Sequence, residues 1–300
     1  MSLRYRLAQH IPSQAVIAFA RRYVAGDSLA AALGCADQLW SSRGLCTTLD
    51  VLGEHVEQEH QARRALALYR AAAEAVRGRP YCSLSIKPGH FGMYVDPALC
   101  RGQVRELGEL CQLQGTRLTI DMEDVDLTDA TLGLYRELKP ELPVLGTVLQ
   151  TRLYRTPSDL ESLRGLGARI RLCIGVYDVG AQHGYRSKRQ AKDALIALLP
   201  RAFELCDVVE IATHDRNLLE RARDVLSGTG TAADRVEFQM LLGVPRSAEQ
   251  NQLVSEGRTV RLYVPFAESW DEATAYLRRR LAETPSMAGL VLRNLATREA

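Results

Sequence analysis

A lysine, an aspartate, a glutamine, a histidine and a tyrosine stand at or near the ends of five separate apolar runs. Lys87 closes Cys82–Lys87, and Asp121 nearly closes Arg117–Met122. Gln150 closes Val144–Gln150, Thr213 and His214 follow Val208, and Tyr263 lies near the end of Val260–Val264. One polar residue at a strand exit is ordinary. Five at equivalent places predict a charged, hydrogen-bonding site built where the runs end. Arg279 and Arg280 lie further on, in a stretch that reads as a helix. Two guanidiniums side by side suit a carboxylate or phosphate gripped bidentately. Three successive arginines, Arg278 included, sweep about 200° of a helix, so not all can face one ligand.

Other motifs are weak. Gly228-Thr-Gly230-Thr-Ala-Ala233 has GxGxxA spacing, but it follows a helix and precedes a strand, the reverse of a dinucleotide turn. His55 and His60 are five apart and do not share a helical face, so both are expected at the surface. No HExxH, GxSxG or GxxxxGK[ST] occurs and no metal site is expected. Cys173, between Leu172 and Ile174, is expected in the core.

The elements that must position these residues alternate. Eight β-prone runs occur: Leu45–Leu52, Cys82–Lys87, Arg117–Met122, Val144–Gln150, Ile170–Ile174, Val208–Thr213, Val236–Leu241 and Val260–Val264. Helical stretches separate them: His55–Val76, Pro97–Gln114, Thr128–Leu138, Pro157–Leu166, Ser187–Cys206, Asp215–Leu226 and Ser247–Ser255, with Trp270–Glu283 after the last. A repeat of about 30 residues is that of βα units. Eight of them predict an α/β fold, a closed (β/α)8 TIM-like barrel, with a doubly wound open sheet as the alternative. Residues 11–35 and Ala30–Leu39 read as helices ahead of the repeat. The chain is therefore expected to be one domain over 1–300, with a helical extension over 1–40 packed on the barrel.

Composition narrows the class. At 300 residues the chain can bury a large core. Lys and Arg number 38 against 36 Asp and Glu, a net charge of +2 that gives no nucleic-acid footprint. The seven cysteines are odd in number and lack a CxxC, which predicts free thiols and a cytoplasmic location. The apolar stretch Ala15–Ala20 is too short for a signal peptide or a membrane span. Peripheral membrane contact stays open.

Read in order, several segments together resemble the proline dehydrogenase family, both the monofunctional bacterial enzymes and the barrel of the bifunctional proline-utilisation enzymes. They include Thr48-Leu-Asp-Val-Leu-Gly-Glu54, Ser83-Leu-Ser-Ile-Lys87, Ile120-Asp-Met-Glu-Asp124, Val148-Leu-Gln150, Ala212-Thr-His-Asp215, Glu237-Phe-Gln-Met-Leu241, Tyr263-Val-Pro265 and Arg279-Arg-Leu-Ala-Glu283. Arg171-Leu172, followed by Gly175 and Tyr177, completes the series. The resemblance implies FAD bound without a Rossmann fold. It implies that Gln150, Arg171, Thr213 and His214 hold the flavin, with Met122 and the Ile174-Gly175-Val176 stretch beside it. Arg171 would stand near the flavin N5 and favour hydride acceptance. Arg279 and Arg280 would bind the proline carboxylate, with Lys87 near it and Asp121 organising the charges. Tyr177, Leu241 and Tyr263 would wall the pyrrolidine ring. The implied reaction yields Δ1-pyrroline-5-carboxylate, the first step of proline catabolism, and passes electrons on to a quinone.

The chain departs from the family pattern around the flavin. Ile174 stands where the family has lysine, Val176 where it has alanine, and Val179 where it has an acid. Pro265-Phe-Ala267 replaces Pro-Tyr-Gly, and Pro88 follows Lys87. These departures keep open a different cyclic or secondary amino acid as substrate, or a non-catalytic barrel. Lys87 also leaves open a Schiff-base barrel without flavin.

Overall fold

The computed structural model describes residues 21–274, apart from Glu54, Asp178 and Glu272. Eight parallel strands close into a barrel: β1 (Cys46–Val51), β2 (Cys82–Ile86), β3 (Leu118–Ile120), β4 (Leu145–Gln150), β5 (Ala168–Cys173), β6 (Cys206–Ala212), β7 (Val236–Leu241) and β8 (Thr259–Phe266). Each pairs with its neighbour in sequence, and β8 returns to β1 with Thr48 opposite Tyr263. The helices are α1 (Leu29–Arg43), α2 (Glu59–Ala75), α3 (Pro97–Gln114), α4 (Thr128–Leu138), α5 (Thr156–Glu161), α6 (Lys188–Leu205), α7 (Arg216–Thr229) and α8 (Ser247–Ser255). The closed barrel is the expected one, and the open sheet is set aside.

Side chains of successive strand residues point to opposite faces. The outward set is apolar: Leu49 and Val51, Leu84 and Ile86, Leu118 and Ile120, Phe238 and Met240 are all buried under helices. The inward set is polar: Thr48 and Asp50, Ser83 and Ser85, Arg169 and Arg171, Glu237 and Gln239, all equally buried. Barrels of this class more often fill their interior with branched aliphatics. A buried charge is tolerated only when paired and hydrogen-bonded, and here the pairs are present. Arg261 donates to Glu237 at 2.8 Å, and Arg117 bonds the same carboxylate. Arg169 donates to Glu210 at 2.6 Å, to the Thr119 hydroxyl and to the carbonyls of Leu118 and Val144. Gly146 makes room for it, since a Cβ there would come within 2.6 Å of the Arg169 guanidinium carbon.

Several boundaries differ from those the pattern predicts. The helix expected from His55 begins at Glu59, because Gln58 is extended and the Gln61 side chain accepts from its backbone N–H, closing a capping box. The helix expected over Pro157–Leu166 stops at Glu161, short of Gly165 and Gly167, both at positive φ. Of the N-terminal extension, α1 is described and runs past the expected end to Arg43. Ser28 caps it, and Ala32 and Ala36 bury their small faces against β1 and β8. Arg279 and Arg280 lie outside the described residues, as do residues 1–20 and most of Trp270–Glu283.

Candidate active site

At the carboxyl ends of the strands, four charged side chains form two linked pairs. From β1, Asp50 accepts from Lys87 Nζ at 2.6 and 2.7 Å. Beyond β3, Asp121 accepts from Arg171 Nη1 at 2.6 Å, from Ser85 Oγ at 2.7 Å and from the Tyr263 hydroxyl at 2.7 Å. Tyr263 joins the pairs, since Lys87 Nζ lies 3.5 Å from its hydroxyl. The Arg171 guanidinium carbon lies 5.4 Å from the centroid of its ring. Three of the residues expected at the strand ends, Lys87, Asp121 and Tyr263, therefore meet, together with Arg171, which the resemblance places at the flavin.

The electrostatics follow from burial. Burial pushes the Asp50 carboxyl above its ordinary value, while the Lys87 charge opposes the rise. Tyr263 is held well above the usual phenol range, by burial first and then by Asp121 and Asp50. It stays a hydrogen-bond donor through the physiological range. Burial works against the Arg171 charge, but Asp121 and Glu210 outweigh it and raise its pKa. Two cations and two anions leave the cluster near neutrality.

Around this cluster stand the remaining expected residues. Gln150, the last residue of β4, donates from Nε2 to the Glu123 carbonyl at 2.7 Å. Gly175 sits at φ +85°, where a Cβ would come within 2.5 Å of Gln150 Oε1, so the backbone after β5 passes close to that amide. Thr213 and His214 follow β6. The Thr213 hydroxyl accepts from the Asp215 amide, and His214 Nε2 accepts from the Leu241 amide at 3.4 Å. Burial, helped by Arg246, lowers the His214 imidazole to about 4, so it is neutral at pH 7. Met122 is buried, whereas Ile174 and Tyr177 are half-buried. Val176 and Leu241 are exposed by 65% and 43%, so they line a rim and not a core.

Three buried nitrogen atoms here have no hydrogen-bond partner among the described residues: Nη2 of Arg171, Nε2 of Gln239 and Nδ1 of His214. Buried donors are rarely left unpaired in a native fold. A planar, acceptor-rich ligand across the strand ends fits that set, as a flavin ring would.

Cys173 corrects an expectation. It ends β5 on the inward side with Arg169 and Arg171 and is partly exposed, outside the tightest core. Burial pushes its thiol up to about 11. His55 and His60 are exposed, as expected. Asp50, Gln239 and Glu210 carry no role in the sequence reading, although Asp50 is the one charged residue in the Leu45–Leu52 run. Its place two residues after Thr48, on the inward side, was the available signal.

A closed parallel barrel whose strand ends gather paired charges around unsatisfied donors has the architecture of a (β/α)8-barrel enzyme. A family model described as proline dehydrogenase matches residues 35–177 and 189–293. Proline dehydrogenase 1 of Bacillus subtilis strain 168 is 32% identical over 277 residues, covering 92% of this chain and 90% of its own. The proline dehydrogenase of Deinococcus radiodurans is 32% identical over 285 residues, with 92% and 89% covered. The chain belongs to the proline dehydrogenase family and is an oxidoreductase that oxidises proline. Proline utilization A from Bdellovibrio bacteriovorus shares the fold at TM-score 0.79 and 20% identity, over 88% of this chain and 32% of that one. Its counterpart from Corynebacterium freiburgense does so at 0.75 and 20%, over 97% and 33%. The chain spans about a third of those longer proteins.

Proposed function

We propose that the enzyme uses FAD to convert L-proline to Δ1-pyrroline-5-carboxylate. The observation that carries this reading is the unsatisfied Nη2 of Arg171, buried beside a charge-balanced cluster. With Gln150, Thr213 and His214, and with Met122 and the Ile174-Gly175-Val176 backbone alongside, it would hold the isoalloxazine. The cofactor, when bound, would supply a hydride acceptor. Neutral His214 adds no positive charge, which leaves Arg171 as the cation that the ring would meet.

Substrate binding rests on the same geometry. Lys87 is tied to Asp50, and Arg171 to Asp121. Neither cation is in surplus, so the proline carboxylate depends chiefly on Arg279 and Arg280, with Lys87 near it. Tyr177, Leu241 and Tyr263 would enclose the ring. Asp121 would orient Arg171 and Tyr263 at once. The ring nitrogen must be neutral before its neighbouring carbon gives up a hydride, so one proton leaves to solvent. Electrons would pass on to a quinone-type acceptor, with peripheral membrane contact as one route. The free cysteines support a reducing cytoplasm, and we treat residues 1–300 as one domain.

The visible spectrum before and after anaerobic L-proline tests the reading. Flavin bands that bleach support it; a protein that takes up no FAD sinks it. Arg279→Met should raise KM for proline steeply, and an unchanged KM removes the carboxylate assignment. A related cyclic or secondary amino acid is the second reading, favoured by Val176 at the rim. Val176→Ala should then improve proline turnover, and no change would discard that idea.

A further inference from the structure

We propose that Glu210 is a positioning residue that sets how much positive charge Arg171 presents to the electron acceptor. This rests on the FAD reading above. Glu210 lies on β6, paired in register with Arg171 on β5, and is 1% exposed. Its Oε1 accepts from Arg169 Nη1 at 2.6 Å. Its Oε2 has no hydrogen-bond partner among the described residues and lies 3.6 Å from Arg171 Nε. Glu210 is thus bonded to one arginine and within ion-pair range of the other. Arg171 in turn gives Nη1 to Asp121 and Nε to Gln239, each at 2.6 Å, and keeps Nη2 unpaired.

Oxidation of proline removes a hydride from the ring carbon and a proton from the nitrogen. The acceptor gains two electrons and one proton, so its net charge falls by one, and the second proton goes to solvent. A cation beside the acceptor favours that change. What counts is the charge of Arg171 net of its neighbours, and inside the barrel those neighbours are weakly screened. The Glu210 carboxylate subtracts from the field of Arg171. Arg169 draws on the same carboxylate and weakens the subtraction. Arg169, Glu210, Arg171 and Asp121 form an alternating series in which each charge grades the next.

Midpoint potentials of the FAD-loaded protein test this. Glu210→Gln, nearly isosteric and neutral, should favour reduction by tenfold or more, which for a two-electron couple is about 30 mV upward. Arg169→Met should move the potential downward. Glu210→Asp keeps the charge on a shorter side chain and should stay near the parent. A packing role would make the aspartate variant the more disturbed of the two. If Glu210→Gln does not fold, Arg169→Met carries the test alone. An unshifted potential in either folded variant, or shifts of the same sign, overturns the proposal while leaving the FAD reading intact. A parent protein that binds no FAD overturns both.

Discussion

Lys87 and Asp50 are the most informative pair in the molecule, because each is buried and each holds the other's charge. Removing one partner of such a pair typically costs about 3–5 kcal/mol, whereas removing both together can be nearly neutral. Lys87→Met and Asp50→Asn should each lower stability by that order in urea unfolding. The double variant should recover most of the loss, and a simple sum would mean the two act independently. Lys87, Asp121 and Tyr263 were legible in the sequence because polar residues at strand ends stand out against apolar runs, and Arg171 because its segment resembles the family's. Asp50 and Glu210 were not. Each sits within a run whose neighbours are apolar, and a shared face with another polar residue, as for Thr48 and Asp50, is a faint signal beside them. His90 was equally hidden. Its ring fills the space over Gly53, where a Cβ would come within 2.1 Å of Cε1. Burial, with the nearby Lys87 charge, lowers its imidazole to about 3. In the unfolded chain it protonates near 6.5, so the folded state has the lower proton affinity. Stability is therefore full above pH 6.5 and falls as pH drops toward 3, by about 1.4 kcal/mol per pH unit from this group. His90→Asn should flatten that slope between pH 6 and 4. An equal slope in both proteins would assign the acid lability elsewhere.

The strands carry the same lesson at the next scale. Their order and number could be read from apolar runs separated by helical stretches, and seven of the eight α-helices among the described residues fall where periodicity puts them, within a few residues. The ends were less legible because caps and turns decide them. Gln58 and Gln61 delay α2, and glycines at positive φ truncate α5. The polar lining of the barrel was also obscured, since Thr, Ser and Arg in a strand read equally well as solvent-facing. Gly146 on β4 shows how tightly that lining packs. Gly146→Ala would force the Arg169 guanidinium to move, and overpacking of this kind costs about 1–3 kcal/mol. Denaturant midpoints should fall accordingly, and an unchanged midpoint would mean that Arg169 has room to give.

Over the whole molecule, ligand and fold should be linked. A ligand that binds only the folded state adds about 2.7 kcal/mol at one hundred times its Kd. For a chain of this size that is roughly 5 °C in Tm. FAD should therefore raise Tm in a concentration-dependent way, and a Tm blind to FAD would argue against a site across the strand ends. The barrel itself was legible because eight similar units close in one simple way. The family segments were legible because they sit at those units' ends.

One outer side chain reaches into this arrangement. Tyr69, on α2, is fully buried, and its hydroxyl accepts from the Val51 amide at 3.0 Å and donates to the Ser85 carbonyl at 2.6 Å. The paired register of β1 and β2 ends at Leu49 and Leu84, so the phenol stitches the seam where the two strands part. That seam runs directly beneath Asp50 and Lys87. A helix on the outer shell is thereby bonded to both strands of the reactive rim. The same oxygen lies 3.2 Å from Asp50 Oδ1, so a displacement of α2 would reach the carboxylate at the mouth through one atom, and Lys87 only by way of that carboxylate.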